Sequence, residues 1–323
     1  MRQFVKFVGI SVFLLISIAA TCQQPPQPSP APAGKRDWRE VWRNATVSFG
    51  EVARDSLNQE YFHALGTGII VNTDEHTAYL VTARHVFCDP DKVFHPSQLR
   101  VRYAWQDRKS IYSYFGAPFV LRDKNGADLW SSLEDDSDVA AIRMPLTDAD
   151  LPPEDRRETY DSVSIADVVS EPFEGESVWV LGYPGVVGNE QLVKAIVRQG
   201  IVAWTNPNQP DEKPFMIDAN LYPGNSGGPV IQLPIGFRKD GSFDYLSGGA
   251  LKLLGIVSKA PVEDIKTVVS NPRLGQVETH TSIVGIGAIG IIEPGGKVRK
   301  LLSLMQQDST KPPLCSVPEA KAK

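Results

Sequence analysis

From residue 45 onward the apolar positions fall in short blocks separated by polar, Gly- or Pro-bearing segments, the punctuation of strands and turns rather than of helices. Residues 45–49 open the series, and 66–71 and 78–82 flank the polar segment 72–76, which predicts two neighbouring strands joined by a turn. Residues 99–103, 119–121 and 139–144 continue the pattern. The acidic stretch 151–170, with Pro152 and Pro153, then predicts a connection between two halves. The second half repeats the style at 177–181, 195–203, 215–217, 229–232, 250–257 and 283–292. A helical pattern is confined to 297–307, where Val298, Leu301, Leu302 and Met305 share a face. An all-β body with a C-terminal helix follows, and 25 prolines and 26 glycines suit its many turns.

The two ends depart from this pattern. Arg2 and Lys6 precede an apolar run over 7–20 that closes on Ala19, Ala20 and Thr21. The run, at about 14 residues, is short of the roughly 20 needed to span a bilayer, so 1–22 is expected to be a cleaved export signal. Cys22 stands where a bacterial lipoprotein carries its lipidated cysteine, which leaves membrane attachment through Cys22 and plain cleavage both open. Segment 23–37 carries Pro25, Pro26, Pro28, Pro30 and Pro32 and is expected to be an extended linker. The folded body is then expected over 38–307, with halves at about 45–150 and 170–295, followed by a tail at 308–323. The net charge of −5 comes without a basic stripe, which argues against a nucleic-acid partner.

An exported chain also changes the meaning of its three cysteines. With Cys22 at the signal boundary, Cys88 and Cys315 remain, and a disulfide between them is expected to tie the tail to the first half; two free thiols are the alternative.

Three local signatures carry chemistry. Val81-Thr82-Ala83-Arg84-His85 runs a strand into a histidine, Ser137-Asp138-Val139-Ala140-Ala141-Ile142 opens an apolar strand with an aspartate, and Pro223-Gly224-Asn225-Ser226-Gly227-Gly228-Pro229 surrounds a serine with glycines. Nucleophilic acyl transfer needs a hydroxyl, a base to take its proton and a carboxylate to orient the base. Ser226, His85 and Asp138 supply these types. It also needs N–H donors at the developing oxyanion, and the backbone freedom of Gly224 allows the N–H groups of Gly224 and Ser226 to converge. No metal-ligand cluster appears and no cofactor is implied. The serine segment also fits the G-x-S-x-G elbow of α/β-hydrolases, with Asp264 and His280 following in that fold's order, but Pro229 and Pro234 interrupt the helix such an elbow requires.

These segments resemble the chymotrypsin-like (trypsin-like) serine proteases, and within them the HtrA branch. Ile217-Asp218-Ala219-Asn220 ahead of the serine motif, Gly66-Thr67-Gly68-Ile69-Ile70, Gly200-Ile201-Val202-Ala203 and Leu254-Gly255-Ile256-Val257 carry the likeness, which spans roughly 47–302. The resemblance implies two six-stranded antiparallel β-barrels and a serine endopeptidase acting on protein or peptide substrates, exported to the periplasm or cell surface. It further implies that Ser258, Lys259 and Ala260 form the edge on which substrate pairs, that Ser258 hydrogen-bonds Asp138, and that Asn220 lies at the base of the specificity pocket, favouring uncharged side chains. Only the tail follows the final helix, so regulation by a PDZ-type module is not expected, and the stretch 104–136 has no counterpart in the resemblance. A catalytically silent binding protein of the same fold is the alternative function.

Overall fold

The computed structural model describes residues 38–54, 56–74, 77–106, 112–144, 161–169, 171–185, 192–233, 236–237, 243–244, 251–260, 262–271, 276–285, 289–308 and 315. The expected signal, the linker and Cys22 lie outside them. Among the described residues no helix is long and apolar enough to cross a membrane.

A short helix, α1 (Trp38–Ala45), leads into the first sheet. Its strands are β1 (Thr46–Arg54), β2 (Glu60–Asn72), β3 (Ala78–Thr82), β4 (Gln98–Gln106), β5 (Tyr112–Val120), β6 (Trp130–Ser132), β7 (Ala140–Arg143) and β8 (Val163–Ser164). A single helical turn, α2 (Arg84–Phe87), follows β3. The strands run in the order β5-β4-β1-β2-β3-β7-β6, and β8 pairs in parallel with the end of β2.

The second half contains β9 (Ser177–Gly182), β10 (Ile196–Trp204), β11 (Phe215–Asp218), β12 (Pro229–Gln232), β13 (Gly236–Phe237), β14 (Phe243–Asp244), β15 (Lys252–Lys259), β16 (Val262–Asn271), β17 (Gln276–Gly285) and β18 (Ile289–Pro294). Six of these close a barrel in the order β10-β11-β18-β15-β12-β9, while β13–β14 and β16–β17 form separate hairpins. Helix α3 (Gly295–Gln306) ends the described body.

The closed six-stranded barrel expected of the second half is present. The first half supplies the other member of the double barrel in a curled form, an eight-stranded sheet that wraps without closing where six closed strands are expected. Its edges differ greatly in length, since β5 pairs with β4 over nine residues and β6 with β7 over only three. Packing rather than hydrogen bonding brings the two sides around one core. The Phe119 ring of β5 meets Phe49 at 6.3 Å, and Trp130 of β6 meets Phe87 at 5.6 Å.

The strands are apolar on both faces because each face has its own core. Along β3, Ala78 and Leu80 point into the first sheet with Ile70, Phe87 and Trp130. Tyr79 and Val81 point the other way, into a layer shared with Leu181, Ile231, Leu253, Ile256 and the α3 residues Val298, Leu301 and Leu302. Val180, Val230, Leu254 and Val257 fill the second barrel. This intermediate layer joins the halves and receives the helix, so 37–323 forms one compact unit.

Candidate active site

Three chain reversals at the junction of the halves supply the site. After β3, Ala83 turns the chain into α2, whose Val86 and Phe87 are anchored in the first core, leaving the His85 side chain 25% exposed. Asp138 lies two residues before β7, whose Ala140 pairs with Thr82 at the end of β3. That register sets Asp138 beside α2: Arg84 N–H donates to the Asp138 carbonyl (3.1 Å) and His85 N–H to Asp138 Oδ1 (3.0 Å). Asp138 Oδ2 sits 2.7 Å from His85 Nδ1 and accepts the Ser258 hydroxyl at 2.7 Å.

Burial pushes the Asp138 carboxyl up, but the hydrogen bond and charge of His85, aided by Ser258, outweigh it and hold the group below the usual carboxylate range. The ionised carboxylate can only accept, so neutral His85 carries its proton on Nδ1 and keeps the Nε2 lone pair for a substrate-side proton.

Ser226 lies in the loop between β11 and β12, and two glycines with left-handed backbone shape that loop, Gly224 (φ +94°) and Gly227 (φ +81°). A Cβ on Gly224 would stand 2.5 Å from the Tyr183 carbonyl oxygen, and one on Gly227 would collide with Thr67 O and Thr82 Oγ1. The carbonyl of Pro223 accepts from Gly185 N–H (2.8 Å) and that of Asn225 from Gly228 N–H (2.8 Å). In a trans peptide the N–H points opposite the C=O. The N–H groups of Gly224 and Ser226 are thereby turned away from these contacts, and among the described residues neither has a protein acceptor.

His85, Asp138 and Ser226 line one cleft of about 760 Å³, together with Leu221, Tyr222, Pro223 and the run Ser258-Lys259-Ala260. Asn220 behaves otherwise: it is exposed and stands outside this lining, whereas its buried neighbour Leu221 contributes to it. The order of residues counted back from the serine cannot reveal which side chain turns inward. Among the described residues no group of three or more His, Cys, Asp or Glu side chains could hold a metal ion. The elbow reading of the serine segment fails, because Pro229 begins a strand and not a helix. Asp264 and His280 lie on the β16–β17 hairpin, with side chains outside the described residues.

Several participants escaped the sequence. Buried Glu293 accepts the Asp138 N–H at Oε1 (3.0 Å), and burial raises its carboxyl pKa. Arg198 donates to the buried Asn225 side chain at Oδ1 (3.3 Å) and lies over the Tyr222 ring at 5.1 Å. Thr67 grips the serine loop from β2. A charged residue inside a strand of apolar neighbours is the one available signal for Glu293; Thr67 lies in the Gly66-Thr67-Gly68 segment that carries the resemblance, which does not reveal its contacts, and Arg198 carries no signal.

Cys88 and Cys315 form a disulfide, with Cα atoms 6.0 Å apart. Cys88 caps α2, two residues beyond the helical His85-Val86 pair, and its N–H donates to Arg84 O (2.9 Å).

Known proteins agree with this architecture. The family model described as trypsin-like peptidase domain matches residues 66–234. Proteins named serine protease HtrA-like from Staphylococcus aureus are similar. That of strain NCTC 8325 / PS 47 is 23% identical over 275 residues, covering 81% of this chain and 28% of its own length. That of strain MRSA252 is 26% identical over 275 residues with the same coverage of 81% and 28%. The chain thus spans less than a third of the length of these curated relatives. With the matched segment running from β2 past the serine loop into β12 and covering more than half of the residues, the chain belongs to the trypsin-like peptidase domain family.

Proposed function

We propose that the chain is a serine endopeptidase in which Ser226 attacks the scissile carbonyl, His85 takes and returns the proton, and Asp138 orients and stabilises the imidazolium. The observation that carries this reading is the 2.7 Å contact of Asp138 with His85 Nδ1 in the same cleft as Ser226. The unsatisfied N–H groups of Gly224 and Ser226 are suited to receive the negative oxygen of the tetrahedral intermediate. Protein or peptide substrates follow from the family, and an extended segment is suited to pair along Ser258-Lys259-Ala260 at the end of β15. Leu221, Tyr222 and Pro223, the uncharged residues of the lining that lead up to Ser226, favour uncharged side chains before the cleaved bond, while Asp89, Asp91 and Asp136 line other parts of the same cleft. Export, and attachment through Cys22 where it is lipidated, belong to the same proposal.

A fluorophosphonate added to the purified protein is expected to modify Ser226 alone, as mapped by mass spectrometry. Ser226→Ala is expected to abolish labelling and lower casein cleavage by a factor on the order of 10⁶. Unchanged cleavage by that variant would falsify the assignment of Ser226, whereas a wild-type protein that takes no label and cleaves nothing would make the silent binding protein the better account.

A further inference from the structure

The donors that face the reacting carbonyl belong to the second half of the molecule, but part of what holds them comes from the first. Thr67, in the middle of β2, is fully buried and satisfies four groups at once. Its N–H donates to the Ser226 carbonyl at 2.7 Å and its carbonyl accepts the Thr82 hydroxyl at 2.7 Å. Its own hydroxyl accepts the Tyr183 N–H at 3.0 Å and donates to the Gly224 carbonyl at 2.7 Å. A hydroxyl has one proton to give. With one lone pair taken by Tyr183, that proton is committed to Gly224.

Among the described residues the N–H groups of Gly224 and Ser226 have no protein acceptor, and Thr67 holds the carbonyl of each. The Ser226 N–H belongs to the peptide plane between these two fixed carbonyls. The Gly224 N–H belongs to the plane just before them, joined through a glycine at φ +94°. Glycine rotates at that joint with little steric resistance. The Pro223 carbonyl, held by the Gly185 N–H, fixes one side of this joint, and the Thr67 hydroxyl fixes the Gly224 carbonyl on the other.

We propose that Thr67 is a positioning residue for the Gly224 and Ser226 N–H pair, acting through its side-chain hydroxyl. Donors fixed in advance stabilise developing charge because they need no reorganisation during the reaction. The hydroxyl therefore serves the transition state more than the bound substrate. This role rests on the serine endopeptidase reading and names a part of it that neither motif nor spacing reveals.

Thr67→Ser and Thr67→Ala differ by one oxygen atom, so comparing them in the full chain isolates the hydroxyl from the lost methyl. Thr67→Ser is expected to keep most of kcat. Thr67→Ala is expected to fall a further 10- to 100-fold in kcat, with KM within about twofold, somewhat less than the 10²–10³ typical of removing a whole oxyanion donor. Affinity for a peptide boronate, which forms a tetrahedral adduct, is expected to fall by the same factor as kcat. If the Ala variant does not fold, Thr67→Val, which restores the bulk, carries the same comparison. Equal kcat in the Ser and Ala variants, a loss confined to KM, or unfolding of both hydroxyl-free variants overturns the role. A wild-type protein that cleaves nothing and takes no fluorophosphonate at Ser226 overturns instead the protease reading beneath it.

Discussion

Two carboxylates within one hydrogen-bonded chain are driven in opposite directions by their surroundings. Asp138 is held below its ordinary range because His85 and Ser258 outweigh the effect of burial. Glu293, one link further back, is raised: burial is the largest cause, and the neighbouring Asp138 charge adds to it, against the Asp138 N–H and Lys297, which lower it. The signs give opposite pH dependences. Asp138 contributes stability above its unfolded value of 3.8, lost as the pH falls through its folded value. Glu293 contributes below its unfolded value of 4.5, and that contribution is lost as the pH rises through its raised folded value. Glu293→Gln keeps an oxygen for the Asp138 N–H and removes the titration. The stability of this variant relative to wild type is therefore expected to increase from pH 4 toward pH 8, whatever constant offset the new amide introduces. Thermal unfolding of both proteins across that range reads the slope, and a difference that grows toward acid pH would contradict it. His85, Asp138 and Ser226 could be read from sequence because each sits in a short motif. Glu293 could not, since its role depends on β18 lying against the Asp138 loop, a contact across 155 positions.

At the scale of elements, legibility followed how many faces each element shows to water. Strands such as β3, apolar on both faces, stood out as unbroken blocks. Helix α1 is not legible because it has only eight residues, half of them polar, with Trp42 and Ala45 alone buried among its described side chains. Residues 283–292, expected as one strand, divide between the end of β17 and the first four residues of β18, which pair with different partners. The long β4–β5 hairpin was seen only at its base, and it helps explain why the first sheet stays open. Helix α3 was legible from its spacing alone, and its fully buried Val298, Leu301 and Leu302 show why the spacing is kept. It packs into the layer between the halves, where Ile69, Val81, Ile231 and Ile256 also meet. Lys297 on its first turn pairs with Asp135, whose carboxyl, despite burial, is lowered to about 2 by that bond and its neighbours. Leu301→Ala should then cost about 2–5 kcal/mol, the range for a large-to-small change in a packed core. Urea unfolding measures it. A loss under about 1 kcal/mol would mean that the helix is not part of the cooperative core.

At the scale of the whole molecule, the halves are bound together by three kinds of link of unequal reach. The apolar layer is the broadest, and the polar links from Ser258 and Glu293 to Asp138 and from Thr67 to the serine loop are local to the cleft. The disulfide is the longest in sequence, since Cys88 and Cys315 are separated by 227 positions. It joins Cys315 to the first core, where this half-buried residue packs on the cluster containing Phe87 and Cys88. Its location matters for function because Cys88 closes the turn that carries His85. A cross-link over so long a loop constrains the unfolded chain strongly, and removing a native disulfide typically costs about 2–4 kcal/mol. For a body of this size that corresponds to a fall in Tm on the order of 5–15 °C, at roughly 2–4 °C per kcal/mol. Cys315→Ser and the double variant Cys88→Ser/Cys315→Ser are each expected to show this fall. A reductant should lower the wild-type Tm by a similar amount and leave the double variant unmoved. Because α2 is also anchored by Val86 and Phe87 and held to Asp138 through the Arg84 and His85 N–H groups, His85 should keep its place at temperatures where the variants remain folded. Cleavage at 25 °C is thus expected to persist in the double variant while its thermal inactivation accelerates. Equal Tm values with and without reductant, or two thiols that alkylate freely in the unreduced protein, would show that the bond does not form in solution.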